Sequence, residues 1–560
     1  MLYSTVPLLK AQNFRVMHLQ AGVADDPIRF SLQLTACDAD PQIDYEALSY
    51  TWGDLADTRE ISCGGAEVGT SHLMVTTNCY SALNSLRMPD KPRTLWIDAI
   101  CINQDDFDER EAQVAMMRSI YSGATQVVVY LGDSSDDSDS IMRYIEDQYE
   151  PVEYPRRKTF TRLSEEVWCS FSSRAWFNRT WVLQELFSAY KVEVRCGQKS
   201  ISWKALADYY ARWYSGALRN NLRVPPAYEV VQFMAWVRKR RNEEMGPRLL
   251  ELLMRTRWCT SSDPRDKLYG ILSMLGADDS ITFLHPNYRR SANKLYTDLA
   301  LYLYETIGSE MFRRASKYAS GNGLDSLPSW VPDWTCAGVF GVESSSINTG
   351  SGRDSAKLRA GGPFIAGAEI SGCPPVQGAA FRQLSVKGKL VDSLKIVSDE
   401  CDLDKNVFPL AQWCKIARRF SSAKEFEKLL VYDHVIYRDV LKKALKIVLN
   451  WQKDGSNSTL TELFTKRRLP PSYLRQILQM LKCCDRRKLG VLHNGLLALV
   501  PVFAKPDDLV YLLPGASVPF LFRKQDDHVV FIGECFVQGI MSGEAWDEKS
   551  TQSLETLIVE

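Results

Sequence analysis

The stretch Q-V-V-V-Y-L at residues 126–131, closed by Gly132-Asp133, decides how the first part of this chain is read. Five consecutive apolar positions, Val127 to Leu131, with no polar alternation describe a strand covered on both faces, the pattern of a buried parallel sheet. Working outward, Asp106 and Glu109 stand at capping-box spacing ahead of Val114, Met117 and Tyr121, which share a helical stripe, and Gly123 supplies the stop. Upstream, T-L-W-I-D-A-I at 94–100 reads as a mostly apolar strand with an aspartate in its middle. Before it, Asn78 is placed to cap a helix carrying Ala82, Leu83 and Leu86. A hairpin of Glu60–Cys63 with Glu67–Val68 is expected around Gly64-Gly65, and Y-E-A-L-S-Y-T-W at 45–52 reads as a strand that ends at Gly53-Asp54. Strands alternate with helices, which predicts an α/β domain.

At 560 residues the chain is too long for one hydrophobic core. Lysine plus arginine and aspartate plus glutamate both total 68, which gives no electrostatic reason to expect a nucleic acid or an anionic membrane as partner. Hydrophobic residues at 45% describe folded, globular protein. Met1 to Phe14 lacks the basic and apolar regions of a secretory signal, and no apolar run reaches membrane-spanning length, so a cytoplasmic protein is expected. The 14 cysteines contain no C-x-x-C pair and read as reduced thiols. H-E-x-x-H, G-x-S-x-G and the phosphate-loop pattern are absent, which removes the commonest readable enzyme classes.

The expected division is an α/β domain over 1–200, a helical region over 201–335, a glycine- and serine-rich linker with a β segment over 336–400, a helical region over 401–488, and a small antiparallel β unit over 489–560. Long helical patterns run from Trp236 to Arg257 and from Asn293 to Ile307, and three β runs occupy Leu509–Leu513, Val518–Arg523 and Val529–Val537.

Three blocks of the first domain resemble the heterokaryon-incompatibility (HET) domain of filamentous fungi: Y-E-A-L-S-Y-T-W-G-D at 45–54, L-W-I-D-A-I-C-I-N-Q at 95–104, and R-A-W-F-N-R-T-W-V-L-Q-E-L at 174–186. D-P-R-D-K-L-Y-G-I-L at 263–272, L-P-S-W-V-P-D-W-T at 327–335 and G-E-C-F-V-Q-G-I-M-S-G-E-A at 533–545 also resemble segments that accompany it. The resemblance implies a role in fungal non-self recognition and programmed death of the mixed cell, an incompatibility partner protein, and self-association through the HET domain.

The HET domain is in turn similar to TIR domains, some of which cleave NAD+ at the nicotinamide–ribose bond. That likeness implies a flavodoxin-like parallel sheet with flanking helices and compares W-C-x-x-E-L of TIR domains with Trp181-Val182-Leu183-Gln184-Glu185-Leu186. It implies Glu185 as the catalytic carboxylate and NAD+ as substrate, with no resident cofactor or metal. Trp181 and Glu185, four residues apart, share one helical face, so an indole can stack on a base while the carboxylate meets the ribose. Asp98 and Asp54 are expected at the same crevice, with Arg174 or Arg179 meeting the pyrophosphate.

The same residues admit a structural account, in which Trp181 packs against the sheet and Glu185 pairs with an arginine. Trp52, Trp96 and Trp176 are expected as core anchors, Cys101 as a packed thiol, and Asp105, Asp106, Asp108 and Glu109 as helix-start acids that need no metal. The competing function is a non-catalytic adaptor that works by self-association of the α/β surface.

Overall fold

The computed structural model describes residues 2–149, 164–217, 225–239, 245–275, 284–315, 324, 327–336, 383–430, 443, 446, 480–546 and 553–560, excluding 11, 24–25, 41, 65–70, 136, 403–404, 406 and 482. Residues 337–382 of the expected linker and β segment and most of the helical region at 401–488 fall outside them, as does Glu67–Val68. The chain divides into two compact units, one of Met1–Ala217, Arg223–Glu243 and Trp258–Arg290, the other of Leu218–Leu222, Glu244–Arg257 and Ser291–Glu560.

The first unit is built on nine strands: β1 (Asn13–Leu19), β2 (Arg29–Ala36), β3 (Glu46–Tyr50), β4 (Thr58–Cys63), β5 (Ser71–Thr76), β6 (Arg93–Trp96), β7 (Gln126–Tyr130), β8 (Val192–Cys196) and β9 (Lys199–Ser202). Their order is β5-β4-β2-β1-β6-β3-β7-β8-β9. The centre, β6-β3-β7-β8, is parallel, with Glu46 opposite Gln126 and Tyr130 opposite Arg195. Both β3 and β7 bury four of their five residues, as strands covered on two faces must. Antiparallel pairs β1–β2, β1–β6, β4–β5 and β8–β9 extend the parallel centre on both sides, so the sheet as a whole is mixed. In β2 burial is intermittent, and the sequence reading assigns residues 13–36 no element.

Three local expectations are corrected. Helix α1 (Thr77–Leu86) is capped by Thr76, whose hydroxyl accepts from the Cys79 N–H, while Asn78 donates to the Thr51 carbonyl from inside the first turn. Strand β6 stops at Trp96, and Asp98 opens the short helix α2 (Asp98–Cys101), so the aspartate stands just past the strand. In α3 (Phe107–Gly123), Asp106 caps the Asp108 and Glu109 amides as expected, but Glu109 does not close the box. Its carboxylate instead takes Arg15 and the Asn103 N–H at 2.6 Å.

Helices α4 (Ser138–Tyr149), α5 (Glu165–Ser172), α6 (Trp181–Ser188), α7 (Trp203–Ala217) and α8 (Pro226–Lys239) follow. The single helix expected from Trp236 to Arg257 is described as α8 and α9 (Met245–Arg255). Helix α10 (Asp266–Tyr269) belongs to the first unit and α11 (Ala292–Ile307) to the second. Among the described residues no helix is long and apolar enough to cross a membrane.

Between β8 and β9 the chain turns at Gly197, with φ +53°, and a Cβ there would lie 2.7 Å from Ser134 Oγ and 3.0 Å from its backbone nitrogen. Gly197→Ala therefore combines a left-handed backbone with a clash, and a loss of about 1–3 kcal/mol is expected as a lower midpoint in urea unfolding. An unchanged midpoint would contradict this reading of the turn.

In the second unit the β runs of the C-terminal segment become β13 (Leu509–Leu512), β14 (Phe520–Gln525), β15 (His528–Glu534) and β16 (Phe536–Val537). They are joined by β10 (Leu384–Cys401), β11 (Arg487–Leu492), β12 (Leu497–Pro501) and β17 (Glu555–Val559). Strands β10, β13, β14, β15 and β17 pair in a closed ring, which removes their edges, and β11, β12 and β16 extend from β10. Strand β10 serves both parts because register shifts at Leu390/Asp392 and Leu394/Ile396 re-aim it between partners.

Candidate active site

The parallel strands deliver the site. After β3 the chain leaves the sheet through Thr51, Trp52 and Gly53, and after β6 it leaves through Ile97 to Asp98. Both exits lie beyond carboxyl ends of parallel strands, where open α/β sheets form their ligand crevice. Helix α6 begins directly after Arg179-Thr180 and buries Val182, Leu183, Gln184, Glu185 and Leu186. A cavity of about 540 Å³ is lined by Thr51, Trp52, Gly53, Asp98, Arg179, Trp181 and Glu185, together with Arg110, Asp266 and Tyr288. Its size falls in the range of small-molecule sites.

Glu185 is only 4% exposed. Ser49, on β3, donates its hydroxyl hydrogen to Oε2, and Ser49 Oγ in turn accepts from Trp176 Nε1 at 2.8 Å. Burial pushes the Glu185 carboxyl up to about 7, against the pull of Arg179 and the Ser49 hydrogen bond, with Asp98 adding to the rise. A carboxyl that changes charge near neutrality is the type of group that proton-transfer chemistry uses.

Asp98 accepts from Trp52 Nε1 at Oδ2 and from the Ala99 N–H at Oδ1, both at 2.8 Å. Burial raises its carboxyl too, opposed first by Arg179. The Arg179 guanidinium makes no hydrogen bond or ion pair among the described residues and acts on both carboxyls through its field. The structural expectation that an arginine pairs directly with Glu185 is thus replaced by a serine hydroxyl.

Trp181 faces the cavity on the same side of α6 as Glu185 and is held from behind. Its Nε1 donates to Asp266 Oδ2 at 3.0 Å, while the Tyr288 hydroxyl donates to Asp266 Oδ1 at 2.7 Å. Burial lifts Asp266 to about 6 despite these two donors. One carboxyl thereby fixes two aromatic rings.

Four of the six residues singled out from sequence, Glu185, Trp181, Asp98 and Arg179, line the cavity. Two do not. Asp54 is exposed and accepts the Ala56 N–H at 2.9 Å, a local turn contact. Arg174 spends its guanidinium on the carbonyls of Leu131 and Asp133, at 2.9 and 3.0 Å, and on Ser135 Oγ, stapling the loop after β7. Trp96 and Trp176 are core residues at 0% and 1% exposure, but Trp52 is a wall of the cavity rather than a core anchor.

Ser49, Asp266 and Tyr288 were not singled out, and Arg110, which the sequence offers as a structural partner for Asp98, lies over the Tyr288 ring instead. Asp266 had a signal in the D-P-R-D-K run at 263–267, whereas Tyr288 had none. Cys101 is buried and its thiol is pushed up to about 12, chiefly by burial, which keeps it unreactive. Among the described residues no cluster of histidine, cysteine, aspartate and glutamate is placed to hold a metal ion.

Comparison with known proteins agrees with this layout. The family described as heterokaryon incompatibility protein (HET) matches residues 45–185, and the Het-6 β-barrel domain matches residues 455–554. The chain is 25% identical to heterokaryon incompatibility protein 6, OR allele, of Neurospora crassa, over 90% of each chain. It is 26% identical to vegetative incompatibility protein HET-E-1 of Podospora anserina over 36% of this chain and 14% of that protein. No solved structure matches the chain. Both exits of the crevice and the Trp181–Glu185 helix lie inside the first matched segment and β13, β14 and β15 of the closed ring inside the second, so the chain contains a segment that matches the HET family and is similar over most of its length to a heterokaryon incompatibility protein.

Proposed function

We propose that this chain acts in vegetative incompatibility and does so by hydrolysing NAD+ to nicotinamide and ADP-ribose, with Glu185 as the catalytic carboxylate. The incompatibility role is supported by the names of its relatives, and it brings with it a partner protein and self-association through the HET domain as proposals. The hydrolytic reading is supported by one observation above the others: a buried carboxyl, an indole, a second carboxyl and an unpaired guanidinium line one cavity at the strand ends. The TIR-like order of strands, tryptophan and glutamate agrees with it.

In this reaction the bond between the nicotinamide nitrogen and ribose C1′ breaks, and its electron pair neutralises the pyridinium. The sugar passes through an oxocarbenium-like state that ionised Glu185 stabilises, and a water oxygen bonds to C1′ while its proton passes to the carboxylate. Trp181, fixed by Asp266, stacks on a base, and Asp98 holds a ribose hydroxyl. Arg179 opposes the burial-driven rise of both carboxyls and so favours their ionised forms.

A non-catalytic adaptor is the second reading. The hydrogen bond from Ser49 favours it, because it ties the Glu185 carboxyl into the core. The two separate on Trp181→Ala in the full chain. The hydrolase loses nicotinamide release, measured by chromatography, together with killing when expressed in fungal cells. Killing that persists at full strength with NAD+ untouched would leave only the adaptor.

A further inference from the structure

Arg110 stands in the first turn of α3, where the helix dipole favours acids such as Asp108 and Glu109 and disfavours a cation. Helix stability therefore does not account for it. Its guanidinium lies 4.5 Å from the centre of the Tyr288 ring and 4.9 Å from that of Phe107. It makes no hydrogen bond or ion pair among the described residues, and its Nε is buried without a partner. The neighbouring acid that would otherwise claim it, Asp263, is already held by Arg265 at 2.6 Å.

Tyr288, the platform beneath Arg110, is fixed at three points. Its hydroxyl donates to Asp266, its N–H donates to Glu111 Oε1 at 2.5 Å on the same helix as Arg110, and the Arg265 guanidinium lies 5.2 Å from its ring. A guanidinium held over an aromatic ring, with donors unspent, inside a ligand-sized cavity, is set to receive the oxygens of an anion as a planar fork. Arg179 is less suited to that task because it faces Asp98 and Glu185.

We propose that Arg110, oriented by Tyr288 and Asp266, is the diphosphate-binding residue of the cavity, so that the site takes a nucleoside diphosphate-type ligand and extends beyond the HET match to Asp263, Asp266 and Tyr288. This rests on the cavity being the ligand site of the proposed function and goes beyond it by naming the anion receptor. It also replaces the expectation that Arg174 or Arg179 meets the pyrophosphate.

The test uses the full chain and ADP-ribose as probe, with nicotinamide riboside, which lacks phosphate, as the control for the hydrolysis assay. Arg110→Ala is expected to weaken ADP-ribose binding in calorimetry by roughly 10- to 100-fold, to raise KM for NAD+ with kcat little changed, and to leave turnover of nicotinamide riboside unaltered. Arg110→Lys should recover part of the binding, and both variants should melt with the parent chain. Arg110-dependent ADP-ribose binding without NAD+ cleavage would uphold the anion site while removing the hydrolase. Equal ADP-ribose binding by parent and Arg110→Ala, or none by the parent at millimolar concentration, would overturn the assignment.

Discussion

Glu185→Gln in the full chain is expected to abolish nicotinamide release from NAD+ while making the fold more stable at pH 8. The activity loss, roughly a hundred- to ten-thousandfold, is what removal of a single proton-transfer or charge-stabilising group costs an enzyme. The stability gain follows from the buried carboxyl. Its folded value of about 7 lies above the ordinary 4.5, so the folded chain binds more protons than the unfolded chain between those limits. Stability contributed by the protonated form is therefore present below about pH 4.5 and is lost as pH rises through 7. Glutamine mimics the neutral acid and can still accept the Ser49 hydroxyl, so it escapes that loss. The expected gain in urea unfolding is on the order of 2–3 kcal/mol at pH 8 and nothing at pH 4. A gain that is the same at both pH values would show that ionisation of Glu185 is not its source.

Arg15→Met is expected to be the most damaging single change remote from the cavity. Arg15 is 1% exposed and grips Glu109 with both terminal nitrogens, at 2.6 and 3.0 Å. It also donates to the carbonyls of Val6 at 2.6 Å and Cys101 at 3.1 Å. Methionine fills most of the space but leaves a nearly buried carboxylate without its cation. Breaking such a pair costs about 3–5 kcal/mol, whereas replacing both charges costs much less. The double variant Arg15→Met/Glu109→Gln should therefore regain a large part of the loss in equilibrium unfolding. A single variant within 1 kcal/mol of the parent chain, or a double variant no better than the single, would contradict this assignment. Because Arg15 ties β1 to α2 and to the start of α3, and so holds the segment that carries Asp98 and Gln104 to the cavity, the single variant should also lose catalysis.

These two residues show what could and could not be read in advance. Glu185 was legible because its partner Trp181 lies four positions away on one helix, and local periodicity reports such neighbours directly. Arg15 was not, because its partner is 94 positions distant and its strand carries no motif. The parallel centre of the sheet was legible from continuous apolar runs such as Val127–Tyr130. Of the antiparallel flanks only β4, the first strand of the expected hairpin, was, since β2 is only partly buried and β9 has four residues. Asp98 was noticed as an oddity in an apolar run, yet its true place, one residue beyond Ile97 at the start of α2, depends on where pairing with β1 and β3 ends. Of the far wall of the cavity, Asp266 lies in the D-P-R-D-K run and Tyr288 in no motif, and the tertiary packing that brings both to the cavity leaves no trace in spacing. Arg174 misled because an arginine next to a motif serves equally well to staple carbonyls as to bind phosphate.

The pH dependence of kcat/KM for NAD+ hydrolysis by the full chain tests the central claim most directly. A single rising limb with its midpoint near pH 7, absent from whatever residual activity Glu185→Gln retains, is the predicted result, since only the ionised carboxylate can stabilise the cationic sugar. A profile with the same midpoint in both proteins would contradict the account.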